Sequence, residues 1–421
     1  MAPEAHNPEG TYHQTLACGI GLVGAYLPTR RVVAAELRIL AGASDEPVDL
    51  LGVAGLVSDT VDKGTEKRSG RELLDAFDVL GGSHGSWVGR ECSGYHFLCL
   101  PEFFDQAMAL HAEFLRTPTF PEESCAVAVE LARQEITALE DDPHALLDKL
   151  LGLKGYGPRL GRHTLGERET LERIGREEIR RQWEATYRAG CMLVAVAGPL
   201  GPAAVAATLE DCFAGFGAAE PAGRQAKPVE LAAGNWHFPK DTEQEHIGLC
   251  FAGVPIDHAD HSVERVILGV LSGGMSARLF TEVREKLGLV YWVGAWHEHP
   301  RAAGMIFVGA STTPARCDKT YQALLRELGR LGEDLTEDEL ARTKAGILVR
   351  SEMAGDVTRL RCSELITDLF HLGRPMPRQE KIERVQAVTL DDVKRYVADR
   401  PRAPLCVVTL GPRELSCPTA L

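Results

Sequence analysis

Arg284 and Tyr291 are two side chains whose types and spacing suit joint action on a substrate. They lie within residues 272–293, which read Ser-Gly-Gly-Met-Ser-Ala-Arg-Leu-Phe-Thr-Glu-Val-Arg-Glu-Lys-Leu-Gly-Leu-Val-Tyr-Trp-Val. A guanidinium and a phenol can both donate hydrogen bonds to a substrate carbonyl, or to the oxyanion that forms on it. One such donor typically stabilises a transition state by about 3–4 kcal/mol. The pair is therefore a candidate for binding a carbonyl group where it is attacked.

The elements predicted around this pair would bring it together. Residues 277–286 have the pattern of a helix, and residues 289–293 have that of a strand entered through Gly288. Arg284 would then leave the helix end while Tyr291 leaves the following strand, so both could reach one point. The structural alternative is that Arg284 is a solvated helix residue and Tyr291 a core residue of the strand.

Histidine clusters are the other place where chemistry could reside. The motif His-x-x-Glu-His is absent from the sequence, and the nearest clusters are His258-Ala-Asp-His261 and His297-Glu-His299. Strand alternation would put His297 and His299 on one face. No third ligand is evident for either cluster, so we predict surface histidines rather than a metal site.

Residues 272–293 resemble the signature in the C-terminal half of pitrilysin/insulinase-type (inverzincin) metallopeptidases. In that family the pair that matches Arg284 and Tyr291 holds the substrate near the cleaved bond. The resemblance extends over about residues 12–413. The family carries zinc on an inverted His-x-x-Glu-His motif, with a distal Glu on another helix. Residues 53–65, Val-Ala-Gly-Leu-Val-Ser-Asp-Thr-Val-Asp-Lys-Gly-Thr, resemble the segment that normally contains this motif.

The resemblance implies a degenerate metal site. It places Gly55 and Asp59 at the two His positions, Ser58 at the general base and Glu135 at the distal ligand. Two carboxylates without imidazole are not the usual ligand set of zinc, and a serine cannot act as a general base at neutral pH. We therefore expect no zinc in this chain and no hydrolysis by the chain alone.

A second implied feature is a strand edge at residues 81–88, Gly-Gly-Ser-His-Gly-Ser-Trp-Val. In the family, the corresponding edge pairs with an extended substrate through main-chain hydrogen bonds. The candidate substrate-binding residues are Gly82, Ser83, Gly85 and Ser86. The family usually has Asn-Ala where this chain has Gly85-Ser86, so only the backbone would contribute.

An internal duplication organises the chain. Residues 174–199 and 388–412 each run from a helix start through a Tyr into an apolar strand that ends in Gly-Pro, at an offset of about 213 residues. A second echo has nearly the same offset. We predict an N-terminal domain at 1–216, a linker at 217–234 rich in Ala, Pro and Gly, and a C-terminal domain at 235–421. The pattern suits an α+β fold. The resemblance implies two homologous layered domains, each a mostly antiparallel sheet packed with helices, as in mitochondrial-processing-peptidase-like proteins.

Composition narrows the class of protein. The net charge of -14 over 421 residues argues against nucleic acid and anionic membranes as main partners. Eleven cysteines without a Cys-x-x-Cys motif predict buried thiols in a reducing compartment. The first ten residues match neither a secretory signal nor an Arg-rich presequence. We predict a cytoplasmic protein that does not enter a membrane.

The resemblance implies the non-catalytic, substrate-binding subunit of a heterodimeric zinc metallopeptidase. A homologous zinc-bearing subunit would be the partner, and Arg284 and Tyr291 would act at its site on a peptide or unfolded segment. The alternative is a structural or peptide-holding homologue with no part in catalysis. A self-sufficient homodimer is disfavoured by Gly55 and Ser58. The sequence does not choose the substrate, the cleavage site, the partner or the pathway.

Overall fold

A computed structural model describes residues 10–217, 226–400 and 405–416. Part of the predicted linker, residues 218–225, lies outside the described residues. The strands, in chain order, are β1 (Thr11–Thr15), β2 (Gly21–Tyr26), β3 (Val33–Ile39), β4 (Ser83–Val88), β5 (Ser93–Cys99), β6 (Met192–Gly198), β7 (Gly234–Pro239), β8 (Glu245–Gly253), β9 (Val290–Glu298), β10 (Gly304–Thr312) and β11 (Cys406–Gly411).

Among the described residues, the α-helices outnumber the strands. Most of them lie in two runs, one between β5 and β6 and one between β10 and β11. They are α1 (Val53–Thr60), α2 (Gly70–Val79), α3 (Phe104–Arg116), α4 (Glu122–Asp141), α5 (Pro143–Leu160), α6 (Arg168–Leu171), α7 (Arg176–Thr186), α8 (Pro202–Phe213), α9 (His261–Ser272), α10 (Cys317–Asp334), α11 (Glu337–Asp356), α12 (Thr358–Leu372), α13 (Arg378–Ala387) and α14 (Leu390–Asp399). A π-helical segment, Leu279–Lys286, follows α9. No helix among the described residues is long and apolar enough to cross a bilayer.

The chain forms two compact units, each with its own sheet. Unit 1 contains the described residues up to 137, then 162–217 and 354–377, and unit 2 contains the described remainder. The sheet of unit 1 has the order β1-β2-β6-β3-β5-β4, and that of unit 2 has the order β7-β11-β8-β10-β9. Both sheets are antiparallel except for the pairs β2–β6 and β7–β11.

The two sheets share one topology. Strands β2-β6-β3-β5-β4 correspond in order and direction to β7-β11-β8-β10-β9. Helix α1 connects β3 to the later strands of unit 1, as α9 does after β8 in unit 2. The predicted α+β architecture, with two homologous, mostly antiparallel sheets packed with helices, is confirmed.

Each sheet is covered on both faces, which explains why its central strands are buried and mostly apolar. Every residue of β6 and of β10 is buried. Strands buried on both faces lose the alternation of polar and apolar residues that a solvated face would require. One face packs on helices of the same half of the sequence, and the other face packs on a helix from the other half.

The covering helices are exchanged between the halves of the sequence. In unit 1, α12 packs on β2, β3 and β6, where Cys362, Leu365, Ile366 and Phe370 join a buried cluster with the sheet. In unit 2, α5 packs on β8 and β11 through Leu147, Leu151, Tyr156 and Leu160. The predicted domain boundaries at 216 and 235 describe the duplication in sequence, and they stay a prediction. The compact units follow different boundaries, because residues 138–161 belong to unit 2 and residues 354–377 to unit 1.

Cysteines contribute to these cores. All ten cysteines within the described residues are free thiols, and seven of them are buried. This agrees with the expectation of buried structural thiols rather than a disulfide framework.

Candidate substrate-binding site

Arg284 and Tyr291 lie side by side in unit 2. Arg284 is exposed at the end of the π-helical segment, and Tyr291, at the start of β9, is 76% exposed. The Arg284 Cζ atom lies 5.3 Å from the centroid of the Tyr291 ring and 4.9 Å from that of Phe280. These are cation–π distances, and they align the guanidinium with the phenol. The structure thus brings together the two side chains that the sequence singled out.

A tight turn joins the helix to the strand and sets the spacing of the pair. The Leu287 N–H donates to the Glu282 carbonyl at 3.2 Å, which is the five-residue step of a π-helix. Gly288 follows with φ +57°, a left-handed conformation that favours glycine. The Arg316 guanidinium donates to the Gly288 carbonyl at 2.6 Å and fixes the turn from outside.

A β-bulge directs Tyr291 outward. Val290 pairs with Thr312 and Trp292 pairs with Ser311, so Tyr291 is the extra residue on β9. A bulge bends the strand and re-aims the side chain at that point. The alternative interpretation of Tyr291 as a strand core residue is therefore wrong, because its neighbour Val290 is buried while Tyr291 is not.

Arg278 anchors the start of the same segment, a role that the sequence analysis missed. Its buried guanidinium donates to both carboxylate oxygens of Glu339, at 2.7 and 2.8 Å, and to Asp334 at 2.7 Å. Hydrogen bonding to Arg278 lowers the pKa of Glu339 to about 2. Glu339 also accepts the Thr336 N–H at the start of α11. The π-helical segment is thereby tied to the α10–α11 connection.

In unit 1, helix α1 carries the positions of the degenerate metal site. It begins after Gly52, whose φ of +98° suits glycine, and the Glu46 carboxylate accepts the N–H groups of Gly52 and Ala54 at 2.9 and 2.8 Å. A Cβ atom at Gly55 would lie 3.1 Å from the Thr164 carbonyl oxygen. An imidazole at this position would therefore require the neighbouring backbone to shift.

The residues present at this site do not fit zinc. Asp59 is an exposed residue, but its carboxyl group is partly desolvated. This desolvation and, to a smaller extent, the nearby Glu135 carboxylate raise the pKa of Asp59 to about 6. Ser58 is buried beside the hydroxyl pair of Tyr95 and Tyr187, which are 2.7 Å apart. A serine, an aspartate and a glutamate supply no imidazole donor. No metal-dependent step is assigned to these residues.

Strand β4 lies at the edge of the unit 1 sheet and pairs only with β5 among the described strands. Ser83 and Ser86 are exposed on it and Gly85 is half-buried, whereas Gly82 precedes the strand. A Cβ atom at Gly85 would approach the His96 ring to 2.9 Å, so glycine lets this cross-strand neighbour pack closely. The edge has the geometry that main-chain pairing with an extended peptide requires, and the role of these four residues stays a prediction.

The histidines that the sequence placed in two separate clusters partly converge. His261 at the start of α9 lies near His297 on β9 and near His299, which follows that strand, with ring centroids 6.0 and 5.0 Å away. One ligand atom from each of the three lies within 4.8 Å of the others. A third histidine that was not evident from the sequence thus joins the pair, because α9 packs against β9. His258 stays outside this group and contacts Arg400 at 3.1 Å.

The two sheets of shared topology define a duplicated α+β protein. The family model described as "Insulinase (Peptidase family M16)" matches residues 23–168, and the model described as "Peptidase M16 inactive domain" matches residues 173–347. The chain belongs to this insulinase-type peptidase family.

Relatives and solved structures agree with this assignment. The chain is 26% identical, over 89% of its length and 91% of the relative, to an "Uncharacterized zinc protease" of Rickettsia felis. It is 28% identical, over 89% and 92%, to the "Uncharacterized zinc protease YmxG" of Bacillus subtilis. A structure of a "peptidase M16 inactive domain" from Pseudomonas fluorescens superimposes with a TM-score of 0.88 at 20% identity, covering 97% of this chain and all of that one. A protease from Helicobacter pylori gives 0.85 at 16% identity, covering 96% and 99%.

Proposed function

We propose that this chain is the non-catalytic, substrate-binding subunit of a heterodimeric zinc metallopeptidase. Its partner would be a homologous subunit with an intact His-x-x-Glu-His motif. The observation that carries the proposal is a contrast within one chain. Arg284 and Tyr291 are exposed and adjacent in unit 2, whereas α1 of unit 1 lacks the imidazole ligands that zinc requires.

The contribution of this chain to catalysis would be hydrogen-bond donation. The Arg284 guanidinium and the Tyr291 hydroxyl would both donate to the substrate carbonyl at the bond that the partner subunit cleaves. Their shared turn and bulge hold them in place before the substrate arrives, so little reorganisation is needed. The β4 edge would bind the peptide in extended form. Trimming of a peptide precursor is one reaction that suits this arrangement.

Co-purification with a partner tests the proposal. The chain is co-expressed with a homologue encoded next to it that has an intact His-x-x-Glu-His motif and a degraded Arg/Tyr pair. We expect a 1:1 complex by light scattering, and cleavage of an unfolded peptide by the complex but by neither subunit alone. A chain that stays monomeric beside this homologue would contradict the heterodimer.

Arg284→Ala in this complex separates catalysis from scaffolding. We expect loss of cleavage with an intact complex, and unchanged cleavage in the matched control Lys286→Ala, an exposed cation on the same turn that pairs with Glu282. Wild-type rates for Arg284→Ala would instead favour the alternative, a structural or peptide-holding homologue in which the pair has no catalytic role.

A further inference from the structure

A cluster of imidazole and carboxylate groups in unit 2 has no role in the proposed function. His297 lies near the end of β9 and His299 just after it, and Glu264 and His261 lie one helical turn apart on α9, which packs against that strand. The side chain of Glu264 is fully buried, and those of His299 and His297 are 9% and 29% exposed. Four groups of the types that bind transition metals thus meet in a partly buried place.

The polar atoms at the centre of this cluster are not satisfied. Within the described part of the chain, Glu264 Oε1, His297 Nδ1 and His299 Nε2 are buried and have no hydrogen-bond partner. Glu264 Oε1 lies 3.7 Å from His297 Nδ1 and 3.8 Å from His299 Nε2, beyond hydrogen-bonding distance. Buried polar atoms without partners are rare in folded proteins, because each one costs about 1–3 kcal/mol. Protonated imidazoles would pair with this carboxylate, and a single cation bound between neutral imidazoles and the carboxylate would satisfy all three atoms at once.

The other oxygen of Glu264 is already held in place. Glu264 Oε2 accepts the Val254 N–H at 2.8 Å and the Tyr396 hydroxyl at 2.5 Å. These two donors orient the carboxylate, so that Oε1 is directed at the histidines. Such support behind a ligating group is typical of metal sites.

We propose that His261, His297 and His299, with Glu264 Oε1, bind a divalent transition-metal ion, with zinc as the first candidate. Zinc bonds to nitrogen and oxygen are about 2.0–2.2 Å long, so tetrahedral donors lie about 3.3–3.6 Å apart. The three histidines offer ligand atoms within 4.8 Å of one another, and Glu264 Oε1 lies 3.7 Å from His297 Nδ1 and 3.8 Å from His299 Nε2, so these separations are wider than the ideal ones. Small side-chain rotations would close the difference once an ion enters.

This site is distinct from both sites described above. It lies in unit 2, whereas the degenerate positions on α1 are in unit 1. It is six residues along β9 from Tyr291, about 20 Å at 3.3 Å per residue. The ion would connect the first turn of α9 to the end of the edge strand β9 and would therefore stabilise unit 2. This proposal departs from the sequence-based expectation that the chain holds no zinc.

Zinc titration of the metal-free, tag-free chain tests the proposal. We expect calorimetry to show one Zn²⁺ per chain, bound more tightly than about 1 μM. Excess Zn²⁺ should raise Tm by about 3–6 °C, since an ion that binds only the folded state stabilises it. Co²⁺ should bind at the same stoichiometry and give the visible absorption of a tetrahedral site. A chain that binds neither ion at micromolar concentration would overturn the proposal, because a proton or water would then satisfy these atoms.

Variants locate the ion. His297→Ala, at a partly exposed position, should weaken Zn²⁺ binding at least about 100-fold while circular dichroism stays native. Glu264→Gln should weaken it about 10–100-fold. The matched control His258→Ala, a neighbouring histidine outside the cluster, should bind as wild type does. Binding that survives His297→Ala and is lost in Asp59→Ala/Glu135→Ala would place the ion on α1 instead and would contradict both this proposal and the non-catalytic assignment. If neither the cluster variants nor the α1 variant lost Zn²⁺ binding, the ion would be adventitious and bound elsewhere on the surface. That result would also overturn the proposal.

Discussion

At the scale of single residues, side-chain chemistry and local sequence were sufficient to find Arg284 and Tyr291 but not the groups that position them. The helix–Gly288–strand pattern predicted their convergence, because all of these elements are continuous in sequence. Arg278 was missed because its partners, Asp334 and Glu339, lie 56 and 61 residues away. The histidine cluster was missed for the same reason, since sequence spacing carries no information about which strand a helix packs on.

The two donors of the substrate-binding pair are expected to act on one oxygen. In the assembled complex, Arg284→Ala and Tyr291→Phe should each lower kcat about 10²–10³-fold with little change in Tm, because both side chains are exposed. The double variant should lose less than the product of the two effects. Steady-state kinetics of the four proteins measures this coupling, with Tyr26→Phe, another exposed tyrosine, as the control. Fully multiplicative losses would show that the two donors act at separate places.

Arg278→Ala should destabilise unit 2 by about 2–3 kcal/mol. Loss of one member of a fully buried ion pair costs about 3–5 kcal/mol, and the partly exposed carboxylates Asp334 and Glu339 reduce that cost. Arg384→Ala is the control, because Arg384 forms an exposed ion pair with Glu380 in the same unit; it should cost at most about 1 kcal/mol. Urea unfolding of both variants measures the difference, and equal losses would show that Arg278 does not anchor the segment.

At the scale of secondary-structure elements, the apolar runs and the repeated helix-to-strand pattern predicted the sheets, but the exchange of α5 and α12 was not predicted. Helix α5 lies in the first half of the sequence and α12 in the second, so the sequence alone assigns each helix to the half that encodes it. Their apolar residues cover sheet faces formed by the other half of the sequence. The pattern within a helix shows that it has an apolar face, and only the three-dimensional structure shows what that face contacts.

Separate expression of residues 1–216 and 235–421 tests the importance of this exchange. The first fragment lacks α12, so the β2, β3 and β6 face that it covers would be exposed to water. We expect each fragment alone to aggregate or to bind a hydrophobic dye, and co-expression of both to restore a soluble complex. A fragment 1–216 that is folded and monomeric by circular dichroism and light scattering would contradict this expectation.

Substitution of two leucines on α12 tests, in the intact chain, how much this helix stabilises the unit 1 sheet. Leu365 is fully buried against the unit 1 sheet, and Leu360 is 46% exposed. Leu365→Ala should lower the free energy of unfolding by about 2–5 kcal/mol, and Leu360→Ala by about 0.5 kcal/mol or less. Equal effects in thermal unfolding would show that α12 is held by other contacts.

At the scale of the whole molecule, the family, the duplication and the α+β class followed from sequence, whereas buried charges became visible only in the structure. Glu245 at the start of β8 is fully buried. Its Oε2 accepts the Arg413 N–H at 2.9 Å, and its Oε1 has no hydrogen-bond partner in the described part of the chain. Burial raises the pKa of Glu245 from 4.5 to about 7. Nothing in the local sequence distinguishes this glutamate from the exposed Glu243.

Glu245 should make the protein less stable as the pH rises. Because its pKa is higher in the folded state, the folded chain binds more protons than the unfolded chain between about pH 4.5 and 7. The free energy of unfolding therefore falls through this window. Glu245→Gln keeps an acceptor and removes the charge, so its Tm should exceed that of wild type by about 2–4 °C at pH 8 and approach it near pH 5. Calorimetry from pH 5 to 8 measures this, and Glu243→Gln is the control; a pH-independent difference would contradict the assignment.

The exchange of α12 also has a consequence during synthesis on the ribosome. The last strand of the unit 1 sheet, β6, ends at Gly198, and the helix that covers its second face ends only at Leu372, roughly 170 residues later. At about 5–20 residues per second, translation of this interval takes about 10–35 s. During that time the nascent unit 1 presents an apolar sheet face with no helix to cover it. We expect nascent chains stalled before residue 358 to bind general chaperones, and chains stalled beyond residue 372 plus the length of the exit tunnel to release them.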